Sequence, residues 1–92
     1  MMISISSVAN KILNGIFDEQ SKEEPNMKLL TPSFFELKGI EFANAVSELD
    51  ENNYIIGADI SRGGRGNLPQ IAWLDNVEIT ELGLTYLLRN GE

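Results

Sequence analysis

Tyr54-Ile55-Ile56-Gly57-Ala58-Asp59-Ile60, then Ser61-Arg62-Gly63-Gly64-Arg65-Gly66-Asn67-Leu68-Pro69, then Gln70-Ile71-Ala72-Trp73-Leu74 is the stretch that decides the fold. Its first part is rich in β-branched and aromatic residues and reads as a strand over 54–60. Its last part reads as the returning strand over 70–74. Arg62 to Asn67 forms a flexible tip, where glycines supply the positive φ angles of a hairpin turn, and Pro69 closes it. A hairpin with a long, glycine-rich tip is the wing of a winged helix when helices precede it.

Helices do precede it. Ile5, Val8, Ala9, Ile12, Leu13 and Ile16 recur at helical spacing, which predicts a first helix over Ile5–Phe17 capped by Ser4, Ser6 or Ser7. The polar stretch Asp18–Met27 reads as a loop, and Lys28-Leu29-Leu30 as a short strand. Thr31 and Pro32 predict the start of a second helix that buries Phe34, Phe35 and Leu37, with Gly39 breaking it. A third helix is expected over 40–52. It places Phe42, Ala45, Val46 and Leu49 on one face and Asn44, Ser47, Glu48 and Glu51 on the other. Asn52-Asn53 stops it, because Asn tolerates the left-handed conformation. Asp75-Asn76 turns the chain, and Thr80 caps a last helix over Glu81–Asn90 that Gly91 ends. Helices two and three are joined tightly, as in a helix-turn-helix. The expected class is α+β: a winged helix, or winged helix-turn-helix, with a two-stranded wing and a C-terminal helix, formed as one domain over residues 1–92. A generic α+β domain carrying a hairpin is the alternative.

The quoted runs Ala9-Asn10-Lys11-Ile12-Leu13, Glu41-Phe42-Ala43-Asn44-Ala45-Val46 with Asn53-Tyr54-Ile55-Ile56-Gly57, and Glu78-Ile79-Thr80-Glu81-Leu82-Gly83-Leu84-Thr85-Tyr86-Leu87 resemble the YjcQ family, small proteins of Firmicutes and their phages. The resemblance covers most of the chain. It implies the winged-helix fold and a prophage-type origin. It implies no activity and carries over no functional residues.

Composition excludes much chemistry. Cys and His are both absent, so there is no thiolate or imidazole to act as nucleophile, base or metal ligand. A Ser–Lys pair is the remaining nucleophilic option, and its nearest approach is Ser21-Lys22 in a polar loop. Acidic pairs such as Asp18-Glu19, Glu23-Glu24 and Asp50-Glu51 are sequence neighbours, which point apart on a helix and do not chelate. The glycine tip sits between two strands rather than before a helix, so it is no phosphate loop. No catalytic residue, cofactor or metal site is therefore expected, and the protein is not expected to be an enzyme. With no apolar run of membrane-spanning length and no signal-like N-terminus, a cytoplasmic location is expected.

Two binding surfaces remain. One is a DNA-reading surface of helix 40–52 and the wing 61–69. There Asn44 and Ser47 would meet base edges, and Lys38, Arg62 and Arg65 the phosphates. The net charge of −7 and the acidic third helix disfavour nucleic acid. The other surface lies on the last helix. Ile79, Gly83 and Leu87 fit the core side, which leaves Leu82, Leu84, Tyr86 and Leu88 for a protein partner or a homodimer. The favoured reading is a non-enzymatic protein-interaction or regulatory accessory module. A DNA-binding transcriptional regulator is the alternative.

Overall fold

A computed structural model describes residues 5–90. The order of elements is α1 (Ser7–Gln20), a 3-10 turn at Met27–Leu29, α2 (Gly39–Glu51), β1 (Ile55–Ile56), β2 (Asp59–Gly63), β3 (Leu68–Trp73), β4 (Glu78–Ile79) and α3 (Glu81–Asn90). The class is α+β, with three helices and two antiparallel strand pairs, β1–β4 and β2–β3, among the described residues.

The apolar stripe of α1 is buried as its spacing requires, with Ala9, Ile12, Leu13 and Ile16 in the core beside Phe42, Val46 and Leu49 of α2. Of the three candidate caps, Ser6 does the work. Its Oγ accepts from the Ala9 N–H at 3.1 Å, while Ser4 lies outside the described residues. α1 also runs three residues past the expected end at Phe17, because Glu19 continues the buried stripe. Glu19 accepts from the Asn26 backbone N–H and from the Lys22 ammonium, each at 2.9 Å. Those two bonds, the Asn26 one first, hold its carboxyl below the ordinary glutamate range.

The segment between α1 and α2 departs from expectation. Lys28–Leu30 is not a strand. Met27–Leu29 forms the 3-10 turn, begun by the Asn26 side chain accepting from the Lys28 N–H. The second helix is a single turn. Thr31 does cap it, accepting from the Phe34 N–H at 3.2 Å. Glu36 then enters the left-handed region and the Leu37 N–H closes back on the Pro32 carbonyl. Only Phe35 of the two aromatics reaches the core, where its ring lies against Gly15 of α1, while Phe34 stays exposed. Gly39 breaks nothing. It opens α2, whose Glu41 carboxylate accepts from the Lys38 backbone N–H at 3.2 Å.

The strand expected over 54–60 is split at Gly57 (φ +83°), where any Cβ would collide with the Asn76 carbonyl. The halves go to different partners: β1 to β4 and β2 to β3. In the hairpin, Ser61 faces Ile71 and Arg62 faces Pro69, so Gln70 is an extra residue. This bulge shifts the phase of β3 and puts Pro69 on the buried side with Ala72. The tip takes the expected positive φ at Gly64, Gly66 and Asn67, and Asn53 ends α2 in the same region.

Thr80 caps α3 as predicted, accepting from the Gly83 N–H at 3.0 Å and donating to the Asn53 carbonyl at 2.6 Å. Gly83 is buried against the Tyr54 carbonyl, a contact that no side chain permits. The Gly91 stop lies outside the described residues.

Candidate binding surfaces

The side of α2 expected to face solvent is largely occupied. Ser47 is only 5% exposed. Its Oγ accepts from an Arg62 guanidinium N–H at 3.0 Å and contacts the Glu51 carboxylate at 3.4 Å. Arg62 also lies 3.9 Å from Glu51. The β2–β3 hairpin therefore lays one of its two arginines onto α2. Ser47 is buried beneath this contact, while Arg62 itself stays exposed beside the Glu51 carboxylate. Glu48 is engaged elsewhere: its two oxygens accept from the Ser6 backbone N–H and the Ser6 hydroxyl, both at 2.8 Å. A carboxylate thus sits at the N-terminus of α1, where the helix dipole favours it. Asn44, Lys38 and Arg65 are also exposed, on the helix, before its first turn and at the hairpin tip respectively.

Four residues of α3 were candidates for a protein contact, and the structure separates them. Tyr86 is only 6% exposed and stacks on Tyr54 with ring centroids 5.0 Å apart, so it belongs to the core. Burial, with a smaller contribution from Tyr86, pushes the Tyr54 phenol up. Leu84 is half-buried. Leu82 and Leu88 are exposed, Leu88 at 80%. The close approach allowed by Gly83 is what turns Tyr86 inward. It was the one signal in the sequence that foretold this, a glycine within an otherwise apolar helix.

A surface that sequence reasoning missed lies along β3. A groove of about 200 Å³ runs between β3 and the chain that enters α2, lined by Leu30, Pro32, Gly39, Ile71, Trp73 and Asp75 among others. Ile71 and Trp73 are about half exposed, at 50% and 47%, while Ala72 between them faces the core. Among the described residues β3 pairs only with β2.

The family described as YjcQ protein matches residues 10–92. The chain belongs to this family. The solution NMR structure of the YjcQ protein from Bacillus subtilis is similar in fold, with a TM-score of 0.57 and 24% identity, over 92% of this chain and 94% of that one. No curated protein matches. Among the described residues no helix is long and apolar enough to cross a membrane.

Proposed function

We propose that this member of the YjcQ family is a non-enzymatic, winged-helix binding module that engages protein rather than DNA, as a regulatory accessory protein of prophage type working in the cytoplasm. The winged-helix reading is supported by the run of α1, the capped turn at 31–36 and α2, followed by the β2–β3 hairpin as the wing. The observation that carries the functional reading is the Arg62–Ser47–Glu51 contact. A DNA reader keeps its wing cations free for phosphate, and here one lies along the surface of α2 against Ser47 and Glu51. Arg65 and Lys38 alone leave a small electrostatic footprint on a chain of net charge −7.

Titration of a fluorescently labelled duplex at low and moderate salt tests the reading. No change in anisotropy is expected at either. Salt-sensitive binding that weakens in Arg65→Ala and Lys38→Ala would establish the DNA-regulator alternative instead.

A further inference from the structure

We propose that Glu19 is an acid-released latch. Its carboxylate fastens the segment 21–29 to the end of α1, and protonation frees that segment while the helices and the hairpin stay folded.

Glu19 stands where a helix does not favour it. It lies in the last turn of α1, a turn with no basic residue, and there the helix dipole opposes a negative charge. It is also only 4% exposed, and a buried carboxylate needs partners. Both partners come from the chain that follows the helix. One oxygen accepts from the Lys22 ammonium and the other from the Asn26 backbone N–H. Both bonds favour the ionised form. Lys22 is the one charge set against the carboxylate. α1 also packs on α2, α3, β4 and the 3-10 turn. None of their charged side chains, Glu48, Glu81, Glu78 and Lys28 included, pairs with Glu19 among the described residues.

Little else holds the segment. Residues 21–26 are all exposed. The Lys22 N–H donates to the Glu19 carbonyl, but beyond it no backbone–backbone hydrogen bond ties residues 23–26 to α1, α2, α3 or a strand among the described residues. Met27 is only partly buried, and Leu30 is the next residue fixed in the core. The Asn26 bond is therefore the fastening midway between the end of α1 and the Leu30 anchor. A segment so lightly tied opens in a local step, well below the cost of unfolding a core in which Ile12, Leu13, Phe42 and Val46 are fully buried. Pro25 and Met27 line a cleft together with Gln20 and residues 75–78, so releasing the latch opens that cleft.

The Asn26 amide is the reporter. Its proton shift in an amide correlation spectrum and its protection from hydrogen exchange, referred to an unstructured chain at each pH, are followed from pH 7 to 3. The partners of Glu19 hold its carboxyl below the ordinary range, so the latch is closed throughout that range and lets go as pH falls through the lower folded value. Asn26 is expected to lose about tenfold in protection, the low end for a bond to a charged acceptor, while the amides of α2 and β3 keep theirs. Glu19→Gln turns an N–H donor toward the Lys22 ammonium, and is expected to show the same loss already at pH 7. Lys22→Met keeps the Asn26 bond but removes the ion pair, so release moves to higher pH.

Loss of protection by Asn26 and α2 together overturns the latch, since the carboxylate then serves only the fold as a whole. An Asn26 proton shift that stays flat across the range does so too, as does full protection of Asn26 in Glu19→Gln at pH 7 or a release midpoint that Lys22→Met fails to raise.

Discussion

Gly15→Ala should destabilise the protein even though it improves the helix. Alanine is favoured over glycine in a helix interior by about 1 kcal/mol. Against this, a Cβ on Gly15 would lie 2.5 Å from Cε1 and 2.7 Å from Cζ of the Phe35 ring. Carbon atoms rest at about 3.5–4.0 Å, so the ring must retreat by roughly 1 Å. It has little space to do so, since Phe34 meets it edge-on at 5.0 Å and Phe42 stands 6.0 Å away. Overpacking of this kind costs about 1–3 kcal/mol. The net expectation is a loss of about 1 kcal/mol, or about 6 °C in melting temperature for a domain of this size. The decisive measurement is a double-mutant cycle by urea unfolding, with Phe35→Leu as the second change. Once the ring is gone, Gly15→Ala should stabilise by about 0.5–1 kcal/mol, so the coupling is about 2 kcal/mol. If Gly15→Ala stabilises the unaltered protein, or its sign is the same in both backgrounds, the proposed contact does not govern this site.

Other outcomes follow from single contacts. Gly83→Ala meets the Tyr54 backbone rather than a movable ring, so it should cost more than Gly15→Ala, about 3 kcal/mol, with no rescue by trimming Ile79. Ser6→Ala removes the cap of α1 and one of the two hydrogen bonds to the Glu48 carboxylate, leaving the one from the backbone N–H. It should cost about 1–2 kcal/mol, and Glu48→Ala added to it should cost less than Glu48→Ala alone. Glu19 has a folded pKa below its unfolded one. Its contribution is therefore present above the ordinary glutamate value of about 4.3 and is lost as pH falls from there toward the folded value. Urea midpoints between pH 7 and 3 should fall less steeply in Glu19→Gln than in the unaltered chain.

Features set by neighbours in sequence were legible in advance. The stripe of α1, the Thr31 and Thr80 caps, the Asn53 stop and the positive-φ tip each depend on residues within a turn of one another. Features set by distant contacts were not. Lys28–Leu30 has strand-like composition, but a strand exists only where an edge pairs with it, and β3 pairs only with β2 among the described residues. Gly57 splits the predicted strand because of Asn76, which sequence spacing does not reveal. The surroundings of the candidate DNA surface were hidden for the same reason. Ser47 and Arg62 meet across 15 residues and Glu48 and Ser6 across 42, so charges that looked free were already engaged. The extension of α1 to Glu19 was legible in principle, since Ile12, Ile16 and Glu19 keep helical spacing and an acidic residue can be buried when paired.

The β1–β4 pair is only two residues long on each side, Ile55 with Ile79 and Ile56 with Glu78, yet it gives the molecule a modular plan. Everything from Gly57 to Val77 enters and leaves through that clasp, like a cartridge seated against α2. Its inward residues, chiefly Ala72, Leu74 and Val77 with Ala58 and Ile60 beside them, tie it to the core. Apart from Arg62, which is tied to Ser47 of α2, the tip and the outer row can therefore be exchanged, lengthened or recharged without reworking the helices, so this part of the surface can vary independently of the part that keeps the chain folded.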